Sequence, residues 1–314
     1  MIRYTLKRLV QSLMTLVIVI TIVFLLMRLM PEDGYFGDSY EKLDEVQKEA
    51  ILEDMGLRDP IHIQLLNFYK QTLKGDLGKS IIYRPKVDIS TILKSKIPYS
   101  LNFGLAAMFI SLGIGIPLGI MMALNKGCFL DKIGTVYIVL INAIPSAIYY
   151  LFIQIYLTGS FNLPILFSVD RPLSFILPTI SMSLGGIASY AMWMRRYMVD
   201  KINKDYVKLA RAKGMKNRKV MISHVLRNAF VPMSQYLPSA ILFTIAGSIY
   251  IESLYSIPGM GGLLVDAIQR QDNTLVQALV LIYSSIGIFG LFIGDISMAL
   301  LDPRITLSKK AGGK

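Results

Sequence analysis

Apolar residues in this chain are gathered into long blocks separated by short polar intervals, with no alternation of the kind a half-buried strand requires. Six blocks are about twenty residues or longer, at 9–30, 97–124, 133–158, 173–194, 229–251 and 274–301. A hydrocarbon layer about 30 Å thick needs roughly 20 apolar residues per helix, and a helix satisfies its own backbone hydrogen bonds there. The pattern therefore predicts an all-α, polytopic membrane protein with six transmembrane helices.

The interval 31–96 is too long for a turn and reads differently. Apolar positions 43, 46, 50, 51 and 55 precede Gly56, and Asp59-Pro60 resembles a cap and first helical residue. Ile61, Leu65, Tyr69 and Leu73 then fall on one stripe that ends near Gly75. Two short amphipathic helices forming a small cap are expected, either as structural cover or as contact for a delivered ligand or binding protein.

The chain divides accordingly into an N-terminus with the first span (1–30), the cap segment (31–96), a five-helix core (97–301) and a tail (302–314). Arg3, Lys7 and Arg8 ahead of the first block resemble the start of a signal peptide. The apolar run is too long for a cleaved segment, so a retained span is expected.

Charge orients the bundle. The segments at one end (the N-terminus, the turn near Lys126 to Lys132, the 195–229 loop and the tail) carry +16. Those at the other end (31–96, 158–172 and 252–273) carry −4. By the excess of Lys and Arg on the cytoplasmic side, both termini and the long basic loop are expected in the cytoplasm. The overall +12 thus reflects orientation on a membrane, not a nucleic-acid partner.

Candidate chemistry is sparse. Cys128 is the sole cysteine, and His62 and His224 stand far apart without a carboxylate or thiol cluster. No metal site, cofactor or catalytic constellation is expected. Gly78-Lys79-Ser80 superficially resembles a phosphate loop, but Leu73 stands where the first glycine of that motif is required. Inside the spans, Asp295 is expected to pair across helices or reach the interface, and Arg28 to snorkel outward. Gly113, Gly115, Gly119, Gly185, Gly186 and the prolines Pro117 and Pro145 are expected to serve helix packing or a moving gate.

The densest signal is the loop 195–229, with eleven Lys or Arg against Asp200 and Asp205. Asp205 is placed to cap a short helix with Tyr206, Leu209, Ala210 and Lys213 on one face. Gly214 is placed to end it, and a second helix runs from about Lys216 into the fifth span. Such an elbow, held between two spans, can transmit a push from a cytoplasmic partner.

The stretch Tyr206-Val207-Lys208-Leu209-Ala210-Arg211-Ala212-Lys213-Gly214 resembles the EAA loop of inner-membrane permeases of the oligopeptide/dipeptide/nickel class of ABC importers. His224-Val225-Leu226-Arg227-Asn228-Ala229-Phe230-Val231-Pro232, Glu252-Ser253-Leu254-Tyr255-Ser256-Ile257-Pro258-Gly259-Met260-Gly261, Leu264-Val265-Asp266-Ala267-Ile268 and Leu301-Asp302-Pro303-Arg304-Ile305 are similar to further segments of that family. At the start, Arg8-Leu9, Phe24-Leu25-Leu26 and Met30-Pro31 resemble its first-span signature. The chain departs from the pattern at Lys208 and Leu209, where the consensus has Glu and Ala, and at Glu32-Asp33-Gly34, where the family often has Gly-Asp-Pro.

The resemblance implies a type I ABC importer permease fold without ATPase activity of its own. Its implied partners are a second homologous permease, two cytoplasmic ABC ATPases, an extracytoplasmic substrate-binding protein and a peptide substrate. Tyr206, Leu209, Ala210 and Gly214 would be the docking elements for the ATPase, rimmed by Lys208, Arg211 and Lys213. Glu252, Pro258, Gly259 and Asp266 are the candidate gate or pathway residues, with helix capping the alternative role for the two acids. The same architecture importing nickel or another small solute, an ion-gradient transporter and a scaffold without transport remain competing readings.

Overall fold

A computed structural model describes residues 2–36 and 43–301, so the expected tail with Asp302-Pro303-Arg304-Ile305 lies outside the described residues. Among the described residues every regular element is helical. The spans are α1 (Ile2–Arg28), α4 (Ile89–Leu124), the pair α5 (Phe129–Ala143) and α6 (Ser146–Phe161), α7 (Ile176–Ile202), α10 (Arg227–Ala246) and α13 (Asn273–Leu301). Between them lie α2 (Glu45–Asp54), α3 (Ile61–Leu73), α8 (Asp205–Ala212), α9 (Asn217–Val220), α11 (Ile249–Leu254) and α12 (Met260–Gln269).

Helices α1 and α7 run seven to eight residues past the hydrophobic blocks that predict them, and three other spans differ more instructively. The third bends by 104° between α5 and α6, because Pro145 lacks an N–H and holds Ile144 in an extended conformation (ψ 128°). The second extends back to Ile89, so the boundary drawn at 96–97 falls inside α4. The fifth stops at Ala246 instead of Ile251, since Gly247 adopts φ 73° and the chain restarts as α11.

Small residues set the central packing. A side chain at Gly115 would meet the Ile187 carbonyl at 2.8 Å, and one at Gly119 would meet the Ala191 carbonyl and the Met194 Cβ. The α4 and α7 backbones therefore approach closely, as small-residue interfaces permit. Gly113, by contrast, faces open space. On the other flank, α1, α10 and α13 meet around Asp295, which pairs with Arg8 at 3.0 Å and accepts a hydrogen bond from Gln235 Nε2 at 3.0 Å. The expected cross-helix pairing of Asp295 is realised, and the cost of a largely covered acid is offset by both partners.

The cap is tethered more closely than its polarity implies. Helix α2 starts with a capping box in which Asp44 accepts from the Gln47 amide and the Gln47 side chain returns to Asp44. Helix α3 starts after Pro60 without a side-chain cap, so Asp59 does not play the expected role. Instead the Gln64 amide donates to the Leu57 and Asp59 carbonyls. Of its expected stripe, Ile61 and Leu73 are exposed and Tyr69 is half-buried. The Tyr69 hydroxyl contacts Thr21 Oγ1 and Val17 O, and Phe68 stacks on Phe24 at 5.4 Å. Arg28, at the end of α1, lies over the Phe24 ring and reaches beyond the helix to donate to the Tyr35 hydroxyl at 2.9 Å.

Asp272 is the anchor of this end, and it is fully buried. It accepts from Ser80 Oγ at 2.6 Å, from the amides of Ile82 (3.0 Å) and Tyr83 (2.9 Å), and from Leu275 N in the first turn of α13 (3.1 Å). The Gly78-Lys79-Ser80 segment thus leads into a ring of donors, but the oxyanion it serves is the chain's own carboxylate. Burial pushes the Asp272 pKa up, while the bonds from Ser80, Tyr83, Ile82 and Leu275 outweigh it and hold the group below the usual carboxylate range.

A depressed folded-state pKa stabilises above the unfolded value of about 4 and is lost as pH falls through the folded value. The cap is therefore expected to stay protease-resistant at neutral pH and to loosen only below about pH 4. Asp272→Asn is expected to loosen it at pH 7, costing about 2 kcal/mol. Limited proteolysis and thermal melting across pH check both outcomes.

Candidate functional site

Two regions gather the residues singled out by the sequence, one at each end of the bundle. At the first, α7 ends at Ile202, a short turn leads into α8, and Gly214 (φ 74°) closes it in the left-handed conformation that spares a side chain strain. From there α9, a wide π-type turn at residues 221–226 and α10 continue the second limb. Lys204, not Asp205, occupies the capping position of α8, and the Asp205 carboxylate pairs with Lys208 at 3.1 Å.

The expected face of α8 divides. Ala210 is buried, and with Val207 at 0% exposure it packs into one apolar cluster with Ala123, Met194, Met198, Val220, Met221 and Val225. Tyr206 and Leu209 point away and are 39% and 56% exposed, while Lys208, Arg211, Lys213 and Gly214 lie on the solvent side. Ala210 is thus committed to the chain's own core. Val207, which the apolar spacing did not single out, is the deeper anchor. An apolar pair ringed by cations is left uncovered.

An ion pair between buried Asp131 and half-buried Arg195 braces the same end. Asp131 accepts from the Arg195 guanidinium, with Nη2–Oδ2 at 2.8 Å, and from the Gly127 amide at 2.8 Å. It ties the α4–α5 turn to the foot of α7, just before the elbow. The sequence held only a weak hint of it, a lone acid in a basic turn.

At the opposite end Glu252, Pro258, Gly259 and Asp266 line one cavity of about 470 Å³, together with Lys96. Glu252 is 3% exposed and is held by Ser100 Oγ at 2.7 Å, Gly262 N at 3.0 Å and Ser248 N at 3.3 Å. Ser100 in turn accepts from Met260 N at 2.7 Å. A side chain at Gly247 or Gly259 would collide with this carboxylate, so these glycines make the space it fills. Glu252 therefore joins α4, the α10–α11 break and the Pro258-Gly259 loop. Asp266 is exposed in the same cavity, its carboxylate making no hydrogen bond or ion pair among the described residues. Tyr255 beside them is fully buried, its hydroxyl 3.0 Å from Ser181 Oγ and its carbonyl accepting from Phe167 N at 2.8 Å.

The family model described as binding-protein-dependent transport system inner membrane component matches residues 115–307, and the corresponding N-terminal model matches residues 1–85. The dipeptide transport system permease protein DppB of Bacillus subtilis is 33% identical over 99% of this chain and 100% of its own length. The oligopeptide transport system permease protein AppB of Bacillus subtilis is 29% identical, covering 96% and 98%. The glutathione transport system permease protein GsiC of Pectobacterium atrosepticum is 31% identical, covering 97% and 99%.

The packing separates structural from exposed residues in a testable way. A methyl group at Gly261 would meet the Ile249 amide nitrogen at 2.7 Å, and backbone cannot yield as a side chain can. Gly261→Ala is expected to lower stability by about 1–3 kcal/mol, whereas Asp266→Asn should leave the melting temperature unchanged. Thermal unfolding of the purified protein in detergent distinguishes the two.

Proposed function

Since the chain belongs to the family of binding-protein-dependent transport system inner membrane components, we propose that it forms half of the pathway by which an ABC importer takes up peptides. It is a multi-pass membrane protein and the permease subunit of such an importer. The peptide substrate rests on the dipeptide, oligopeptide and glutathione permeases it is similar to. A second homologous permease completes the pathway. Two ABC ATPases hydrolyse the ATP, and an extracytoplasmic binding protein delivers solute to the end carrying residues 31–96. Both termini and the elbow 195–229 face the cytoplasm of a cell-membrane protein, the orientation that the +16 against −4 charge division favours.

The observation that carries the coupling role is the uncovered pair Tyr206 and Leu209, ringed by Lys208, Arg211 and Lys213 on a helix whose other face is locked into the spans. An apolar anchor with a cationic rim suits a groove on a partner, and the buried face makes any movement of that partner a movement of α7 and α10. At the far end Glu252, Pro258, Gly259 and Asp266 form the pathway gate, with Glu252 holding the loop and Asp266 presented to solute. A gradient-driven transporter requires an available intramembrane acid, whereas Asp295 is engaged by Arg8 and Gln235.

In proteoliposomes holding the whole importer, Leu209→Asp is expected to reduce ATP-driven peptide uptake by about tenfold or more while leaving the chain folded. Gly214→Val, which imposes a left-handed conformation on a branched residue, is expected to let hydrolysis continue with uptake diminished. Unaltered uptake in both variants would remove the coupling role. Exposed Cys128 tests orientation: an impermeant thiol reagent should label it in inverted vesicles and not in intact cells.

A further inference from the structure

A second cavity, of about 560 Å³, lies between the cap and the adjoining ends of α1 and α13, away from the gate. Four cations line it, Arg28, Lys70, Lys74 and Lys79, and none of its lining residues is acidic. None of the four forms an ion pair among the described residues. Arg28 spends one nitrogen on Tyr35, but its Nε is buried with no partner, and so is the amide nitrogen of Gln277. Unpaired buried donors are costly and call for an acceptor. The same wall offers one unpaired acceptor, Gln64 Oε1, which fits a hydroxyl.

The surroundings say where the acceptor comes from. Tyr69 on α3 reaches Val17 of α1, about 16 Å below the end of that helix at 1.5 Å per residue. With Phe68 stacked on Phe24, helix α3 packs against the C-terminal half of α1. Leu66 and Leu73 on α3 and Leu25 and Leu29 on α1 are exposed beside it. Exposed leucines beside lysines on a helix packed against a span suit the membrane interface.

We infer that this cavity binds a phosphate-type oxyanion, supplied by the headgroup of an anionic, hydroxyl-bearing phospholipid whose chains lie along α1 and α3. Arg28 and Gln277 hold the phosphate from beneath, and Lys70, Lys74 and Lys79 close over it. Basic pockets between spans and an interfacial helix are the physical setting for such recognition. The inference is independent of which solute the importer carries.

The test is native mass spectrometry of the intact importer in detergent, titrated with phosphatidylglycerol or phosphatidylcholine, with inorganic phosphate in a parallel thermal-shift titration. Loss of both exposed lysines in Lys70→Gln/Lys74→Gln is expected to weaken phosphatidylglycerol binding by roughly thirtyfold. Lys94→Gln, outside the cavity, should change nothing, and phosphatidylcholine should not discriminate between variants. Arg28→Gln should act in the same direction, but Arg28 also bonds Tyr35, so the surface pair decides. Discrimination by inorganic phosphate alone would keep the oxyanion site and overturn the lipid as its source. Equal binding of both lipids and of phosphate by wild type and the lysine variant would overturn the site itself.

Discussion

The basic elbow belongs to the bundle because one apolar wedge puts it there. Val207, Ala210, Val220 and Val225 pack against Met194, Met198 and Ala123, and most of these side chains are wholly buried. Burying a valine or methionine contributes about 1.5–3 kcal/mol, so the wedge outweighs the ordering of a short helix that could not persist alone in water. Take the wedge away and the eleven cations become a solvated strap. With it in place, α8 is packed against α7 and the second limb of the elbow, and Tyr206 and Leu209 are the large apolar side chains that α8 leaves facing outward.

Carboxylates make the other long-range joints. Asp131 binds Arg195, Asp295 binds Arg8 and Gln235, Glu252 binds Ser100 and Gly262, and Asp272 binds Ser80 and the amides after it. Each is largely removed from water and each joins segments distant in the chain. In a bundle whose helices are apolar all round, packing alone fixes rotation and register weakly. An acid that is costly to bury unless it meets one particular partner discriminates between arrangements. Three of the four are at span ends, where the path turns, and they hold the Pro258-Gly259 loop, the cap and the elbow in place.

Much of this was legible in the sequence, for identifiable reasons. Span number and charge segregation follow from composition over windows of twenty residues, which no local detail can disguise. Gly214 and the stops of α2 and α3 near Gly56 and Gly75 follow from turn chemistry. What stayed hidden depends on partners distant in sequence. The bend at Ile144-Pro145 is invisible to a hydropathy window, because both arms are equally apolar. The inward and outward faces of α8 could not be told apart because Val207, Leu209 and Ala210 are all apolar, and only the position of Met194 and Met198 decides between them. Asp272 looked like a loop residue. Its donors come from a segment nearly two hundred positions earlier. The four gate candidates do share one cavity, yet the division of labour between a buried Glu252 and an exposed Asp266 required the fold.

These features connect in one mechanical sequence. Under the proposed coupling role, force received at Tyr206 and Leu209 would pass through the wedge into α7 and α10. Helix α10 ends at Gly247, directly before the Glu252 joint that holds the Pro258-Gly259 loop. The measurement closest to this claim is photo-crosslinking from a reactive side chain placed at position 209 in native membranes. An adduct with the ATP-hydrolysing subunit, changing in yield between the nucleotide-free and ATP-bound states, is the expected result. Adducts with lipid or with the extracytoplasmic binding protein alone would contradict it.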